Sequence, residues 1–162
     1  MVVHRKSTIT IIGVLVWLMG ANAALAHCEI PCGVYDDGAR FVSIMGHANT
    51  IEKSMNEINR LSAQVKPDFH MISRWTANKE KLAQEVQEIA SVYFLTQRVK
   101  APKADASDQM KQAYAMHTGL LHQILVAAMK AKQSTDVKAV GILRDLTEEY
   151  KAHYFKKHGH NH

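Results

Sequence analysis

The sequence lacks most of the patterns that would name a common metal, haem or nucleic-acid site. Cysteine occurs only twice in 162 residues, as Cys28 and Cys32. There is no Cys-x-x-Cys-His, which excludes the ordinary covalent attachment of haem. His117 and His122 lie five apart without a Glu-x-x-His pair, so a di-iron site of the helical-bundle type has no support. The 20 Lys and Arg residues form no block, which argues against a nucleic-acid partner. Beyond residue 26 no run is apolar enough to cross a bilayer. Nor does any stretch alternate apolar and polar residues as a half-buried strand would.

What is present begins with a targeting segment. His4, Arg5 and Lys6 form a short positive region, and an apolar run of roughly 11 residues from Ile9 to Met19 follows. Ala24-Leu25-Ala26 then supplies a small-residue cleavage site. The run is shorter than the roughly 20 residues a spanning helix needs. We therefore expect residues 1–26 to be a cleaved export signal and the mature protein to be periplasmic or extracellular, with no membrane association after cleavage. Two of the 20 basic residues and none of the 15 acidic ones leave with the signal, so the remainder is mildly basic. A modest positive charge helps to draw in a small anion.

From Asp37 onward the pattern is helical. Phe41, Ile44, Met45, Ala48, Ile51, Met55, Ile58 and Leu61 recur at spacings of three and four, which predicts a first helix from about Asp37 to Ala63, with Asp36 or Asp37 as its cap. Pro67 ends that segment. A second stripe runs through Phe69, Ile72, Trp75, Leu82, Val86, Ile89 and Tyr93 to about Val99. Ala101 to Ser107 reads as a loop. Met110, Ala113, Leu120, Leu121, Ile124, Leu125, Ala128 and Met129 mark a third helix. Ser134-Thr135-Asp136 breaks it and caps a fourth, which carries Val137, Val140, Leu143, Leu146, Tyr150 and Tyr154. The expected fold is all-α, an antiparallel four-helix bundle over residues 37–157. Burying four stripes can hold such a domain together without metal or disulfide.

The most informative stretch is His27 to Asp36, read as His-Cys-Glu-Ile-Pro-Cys-Gly-Val-Tyr-Asp. In an exported chain two cysteines usually form a disulfide, and spacing alone puts a Cys28–Cys32 disulfide ahead of a metal site. Such a disulfide would close a very small loop and stabilise little. Cleavage after Ala26 would leave His27 as the first residue. A free amine, an imidazole, two thiolates and a main-chain nitrogen would then crowd into six residues. Soft thiolates combined with nitrogen donors suit nickel(II).

The stretch resembles the nickel hook of the nickel-containing superoxide dismutases, whose mature chains begin His-Cys-x-x-Pro-Cys-Gly-x-Tyr. His27, Cys28, Pro31, Cys32, Gly33 and Tyr35 match every fixed position. The resemblance implies a nickel hook over residues 27–36, with His27, Cys28 and Cys32 as ligands and one nickel ion per subunit. It implies four planar donors: the His27 amine, the Cys28 amide nitrogen and the two thiolates. The His27 imidazole would be axial when the metal is oxidised. It further implies cycling between Ni(II) and Ni(III), superoxide as substrate, and assembly as a homohexamer.

Tyr35 resembles the family's first active-site tyrosine, and Tyr93, in Val92-Tyr93-Phe94, resembles its second. On spacing alone Tyr93 reads as a core aromatic. The family's helix glutamate has no counterpart at Val42 or Ser43, and Arg40 and Arg74 are the candidates for its arginine. Two rival readings remain at this point. One is a non-enzymatic exported carrier of nickel or copper. The other is a helical domain with a structural disulfide. The tail at 158–162, with three alternate histidines, reads either as a metal collector or as a polar chain end. The remaining histidines, His47, His70, His117, His122 and His153, are assigned no site role.

Overall fold

A computed structural model describes residues 34–158. The proposed signal, the ligands His27, Cys28 and Cys32, and the tail at 159–162 lie outside the described residues. Four helices follow one another: α1 at Asp37–Ser62, α2 at Phe69–Glu88, α3 at Asp108–Gln133 and α4 at Lys138–His158. The second helix continues without a break as a π-helical segment, Ile89–Arg98. Each helix packs on its neighbour in sequence, and α4 closes the ring against α1. The result is the expected four-helix bundle, and the described residues contain no strand. None of the described helices is long and apolar enough to cross a membrane.

Side-chain caps explain where the helices start. The Asp36 carboxylate accepts from the Ala39 amide at 2.8 Å, Asp68 from Met71 at 3.0 Å and Asp136 from Lys138 at 3.0 Å. The Ser107 hydroxyl accepts from Met110 at 3.4 Å. Each satisfies an amide that the first helical turn leaves unpaired, a contribution of about 1 kcal/mol. Of the two aspartates expected at the first helix, Asp36 is the cap. Asp37 is thereby released for other bonds.

The core contains the residues periodicity assigns to α1, from Phe41 through Ile44, Ala48, Ile51, Met55 and Ile58 to Leu61, except Met45, which is only half-buried. In the second segment the buried apolar set is Ala83, Val86, Ala90, Tyr93 and Phe94. The stripe predicted there extends too far: Phe69 stays 75% exposed, and Met110 in α3 stays 54% exposed. Phe94 is completely buried, with ring centroids 4.8 Å from Phe41, 5.3 Å from Tyr150 and 5.5 Å from Tyr154. Truncating a ring so enclosed costs about 3–5 kcal/mol. This aromatic stack fills the end of the bundle where α1 starts, the π-helical segment stops and α4 finishes.

Candidate functional site

The described part of the site is assembled around Asp37, the first residue of α1. Its carboxylate accepts four hydrogen bonds from two other elements. Tyr93 Oη donates to Oδ1 at 2.7 Å, and Arg98 donates through Nε to Oδ1 at 2.9 Å and through Nη2 to Oδ2 at 2.7 Å. Tyr154 Oη, from α4, donates to Oδ2 at 2.8 Å. Arg98 Nε is also 3.0 Å from Tyr154 Oη. The ion pair is mostly shielded from water, with the Arg98 and Asp37 side chains 25% and 16% exposed.

The π-helical turn makes this convergence possible. Tyr93 and Arg98 are five residues apart. At about 100° per residue a regular helix would point them roughly 140° away from each other. In the π-helical segment the repeating bond runs between residues five apart, as in Val99 N–H donating to Phe94 C=O at 2.9 Å. Residues five apart then stack on one face, so both reach Asp37.

Two further groups complete the cluster. Tyr35 lies across Arg98, whose guanidinium carbon is 4.2 Å from the ring centroid, and meets Tyr93 edge-on at 5.9 Å. A guanidinium on an aromatic face contributes about 0.5–2 kcal/mol. Tyr35 is 38% exposed, and its hydroxyl makes no hydrogen bond among the described residues. Arg40 places its guanidinium carbon 4.9 Å from the centre of the Tyr93 ring. Its buried Nε has no hydrogen-bond partner, and it pairs with no carboxylate among the described residues.

The electrostatics follow from these contacts. Burial pushes the Asp37 carboxyl up, but bonds from Arg98, Tyr93 and Tyr154, together with the Arg98 charge, hold it below its ordinary value. Burial and the bond to Asp37 push the Tyr93 and Tyr154 phenols well up, and the Asp37 bond strengthens the hold of Arg98 on its proton. All three donors therefore keep their protons across the ordinary pH range, and Asp37 stays charged.

The structure brings Tyr35 and Tyr93 together, although 58 positions separate them in the sequence. Tyr93 combines both of its sequence readings: its ring is 97% buried in the core and its hydroxyl bonds the Asp37 carboxylate. Of the two arginines considered for the site, Arg40 lies against Tyr93 and Arg74 is exposed on α2. Val42 is exposed and Ser43 returns its hydroxyl bond to the Ala39 carbonyl, so neither replaces a helix glutamate. Sequence reasoning missed Asp37, Arg98 and Tyr154 as a set. The one available signal was a second aspartate beside a sufficient cap.

Among the described residues no group of three or more His, Cys, Asp or Glu side chains could hold a metal ion. His47 faces Glu85 at 3.4 Å, and His117 is buried edge-on against Tyr150 at 5.7 Å. A family model described as nickel-containing superoxide dismutase matches residues 22–158. No curated protein and no solved structure matches the chain.

Proposed function

The chain belongs to the nickel-containing superoxide dismutase family, and from that premise we propose that His27, Cys28 and Cys32 hold its nickel in a mature chain beginning at His27. Membership makes the protein an oxidoreductase with a nickel cofactor. The donor set fits the metal: two soft thiolates with nitrogen donors from an imidazole, an amine and a main-chain amide. When bound, nickel supplies Ni(II)/Ni(III) cycling, by which two superoxide anions and two protons become dioxygen and hydrogen peroxide.

The protein's own residues do the rest. The Cys28 and Cys32 thiolates and the Cys28 amide nitrogen donate electron density that favours the oxidised metal, and the His27 imidazole adds to it. Pro31 restricts the backbone between the two thiolates. Tyr35 follows Cys32 by three residues, and a chain advances at most about 3.6 Å per residue. We assign the Tyr35–Tyr93 pair to guiding the small anion and its water. Arg40, a cation without a carboxylate partner among the described residues, adds attraction for an anionic substrate.

Export of the chain with cleavage after Ala26, and assembly as a homohexamer, complete the reading. Val42, Val65 and Phe69, each more than 70% exposed, are large apolar side chains of the kind an assembly covers. Neither the metal-carrier reading nor the structural-disulfide reading is favoured by any observation.

The observation that carries the proposal is the family match across residues 22–158, which takes in the whole His27–Tyr35 pattern. Cys28→Ser and Cys32→Ser test it. Each variant should keep its helical circular dichroism and lose both nickel and superoxide consumption. Unfolding of either would point to a structural disulfide or structural metal.

A further inference from the structure

We propose that Asp37 and Arg98 are positioning residues that give the two tyrosines different hydrogen-bonding roles toward the oxygen anion. The inference rests on the reading of Tyr35 and Tyr93 as residues on the substrate side. It goes beyond that reading in naming what sets each hydroxyl.

Tyr93 has one hydroxyl proton, and it is committed to Asp37 at 2.7 Å. What its oxygen can still offer is a lone pair, so Tyr93 accepts from water or from a protonated oxygen species. It does not donate to superoxide while Asp37 is charged. Tyr35 is the reverse case. It is held through its ring, by the Arg98 guanidinium on its face and the Tyr93 edge beside it, while its hydroxyl has no partner among the described residues. We assign its proton to the anion.

Arg98 acts through Tyr35 rather than on the substrate. Two of its nitrogens are spent on Asp37, whose charge cancels its own. Tyr154 braces both groups from α4, so the last helix of the bundle bears on the orientation of a tyrosine near the start of the mature chain. A lysine could not replace Arg98, because it lacks the planar fork that bonds Asp37 and covers a ring together.

Ultraviolet resonance Raman spectra of the nickel-free protein test the assignment of protons, because the tyrosine Fermi doublet separates phenols that donate from those that do not. Subtracting the spectrum of Tyr93→Phe from that of the unaltered protein should leave a strong-donor doublet. The same subtraction with Tyr35→Phe should leave none. Asp37→Asn should weaken the Tyr93 donor signature. Either difference spectrum with the opposite character overturns the proposal.

The positioning role is tested in the nickel-loaded protein by the rate constant for superoxide after pulse radiolysis. Tyr35→Phe and Arg98→Met should each lower it about tenfold, and the double variant should fall no more than about twofold below Tyr35→Phe alone, since residues acting as a unit are not additive. Losses that multiply to about a hundredfold would overturn the inference while leaving the role of Tyr35 intact. Full activity in both Tyr35→Phe and Tyr93→Phe would overturn this inference and the tyrosine roles together. Should Arg98→Met fail to fold, Arg98→Lys serves instead: a loss of fivefold or more supports the fork and stack, and an unchanged rate overturns them.

Discussion

At one end of the bundle the core is built of rings, and its polar groups are side chains from three elements meeting on one carboxylate. Phe41, Tyr93, Phe94, Tyr150 and Tyr154 stack there under Asp37 and Arg98. At the other end the core is aliphatic and small, with Met55, Ile58, Ala128, Ala131 and Val140. Two of its polar side chains serve the backbone. The Lys79 amine, buried to 2% exposure, donates to the carbonyls of Ala131 at 2.8 Å and of Lys132, where α3 ends, and Asn59 reaches the Thr135 carbonyl at 3.1 Å. Those bonds satisfy carbonyls at the end of α3 and in the loop that follows it, and need no further purpose. The aromatic end already has its cap in Asp36, and the four bonds on Asp37 exceed what closing a helix requires. That surplus separates a site from a scaffold.

Substitutions at the two ends should have different consequences. Asp37→Ala leaves a guanidinium and two phenols without their acceptor, so we expect a loss of about 2–3 kcal/mol, below the range for fully buried pairs because this one is partly exposed. Lys79→Met strands two carbonyls and should cost about 1–2 kcal/mol. Urea midpoints at neutral pH measure both. Only the first change should also alter superoxide consumption.

Acidity sharpens the contrast. The lowered Asp37 carboxyl contributes stability that is fully present above its ordinary value near 3.8 and is lost as pH falls through the lower folded value. The stability difference between the unaltered protein and Asp37→Asn should therefore hold from neutral pH to about pH 4 and shrink only below it. A gap that closes already near pH 6 would show that the carboxylate is not held down.

The smallest effect is expected at Tyr150. Its hydroxyl is buried with no hydrogen-bond partner among the described residues, and burial pushes its phenol well up. Removing an unsatisfied group of this kind is nearly neutral or favourable. Tyr150→Phe should leave the midpoint of unfolding unchanged or raise it by up to about 1 kcal/mol. A clear loss would mean that the hydroxyl has a partner after all.

The helices were legible because stripe and cap agree at each start. Asp68, Ser107 and Asp136 each precede an apolar run and each bonds an amide in the first turn. Periodicity assigns a face and not a depth, which is why Phe69, opening α2, and Met110, in the first turn of α3, were expected inside and remain exposed. Tyr35 and Tyr93 were legible through the family pattern and meet in the structure, while the proposed ligands His27, Cys28 and Cys32 lie outside the described residues. Asp37 was hidden because either of two adjacent aspartates could have capped α1. Arg98 was hidden more deeply. Sequence periodicity presumes the α-helical repeat, under which Arg98 and Tyr93 face apart, and only the π-helical turn aligns them. Tyr154 fits the stripe of α4 so well that its ring accounted for it and its hydroxyl went unread.

We propose that nickel chemistry in this protein depends on a free amine at His27. It is tested most directly by comparing superoxide consumption by two nickel-treated chains, one beginning at His27 and one beginning at Ala26. The extra residue keeps the imidazole and both thiolates and removes only the terminal amine from His27. Rapid superoxide consumption is expected of the chain that starts at His27, and a loss of a hundredfold or more, about 2.7 kcal/mol in the barrier, of the chain that starts at Ala26. Equal rates would contradict it.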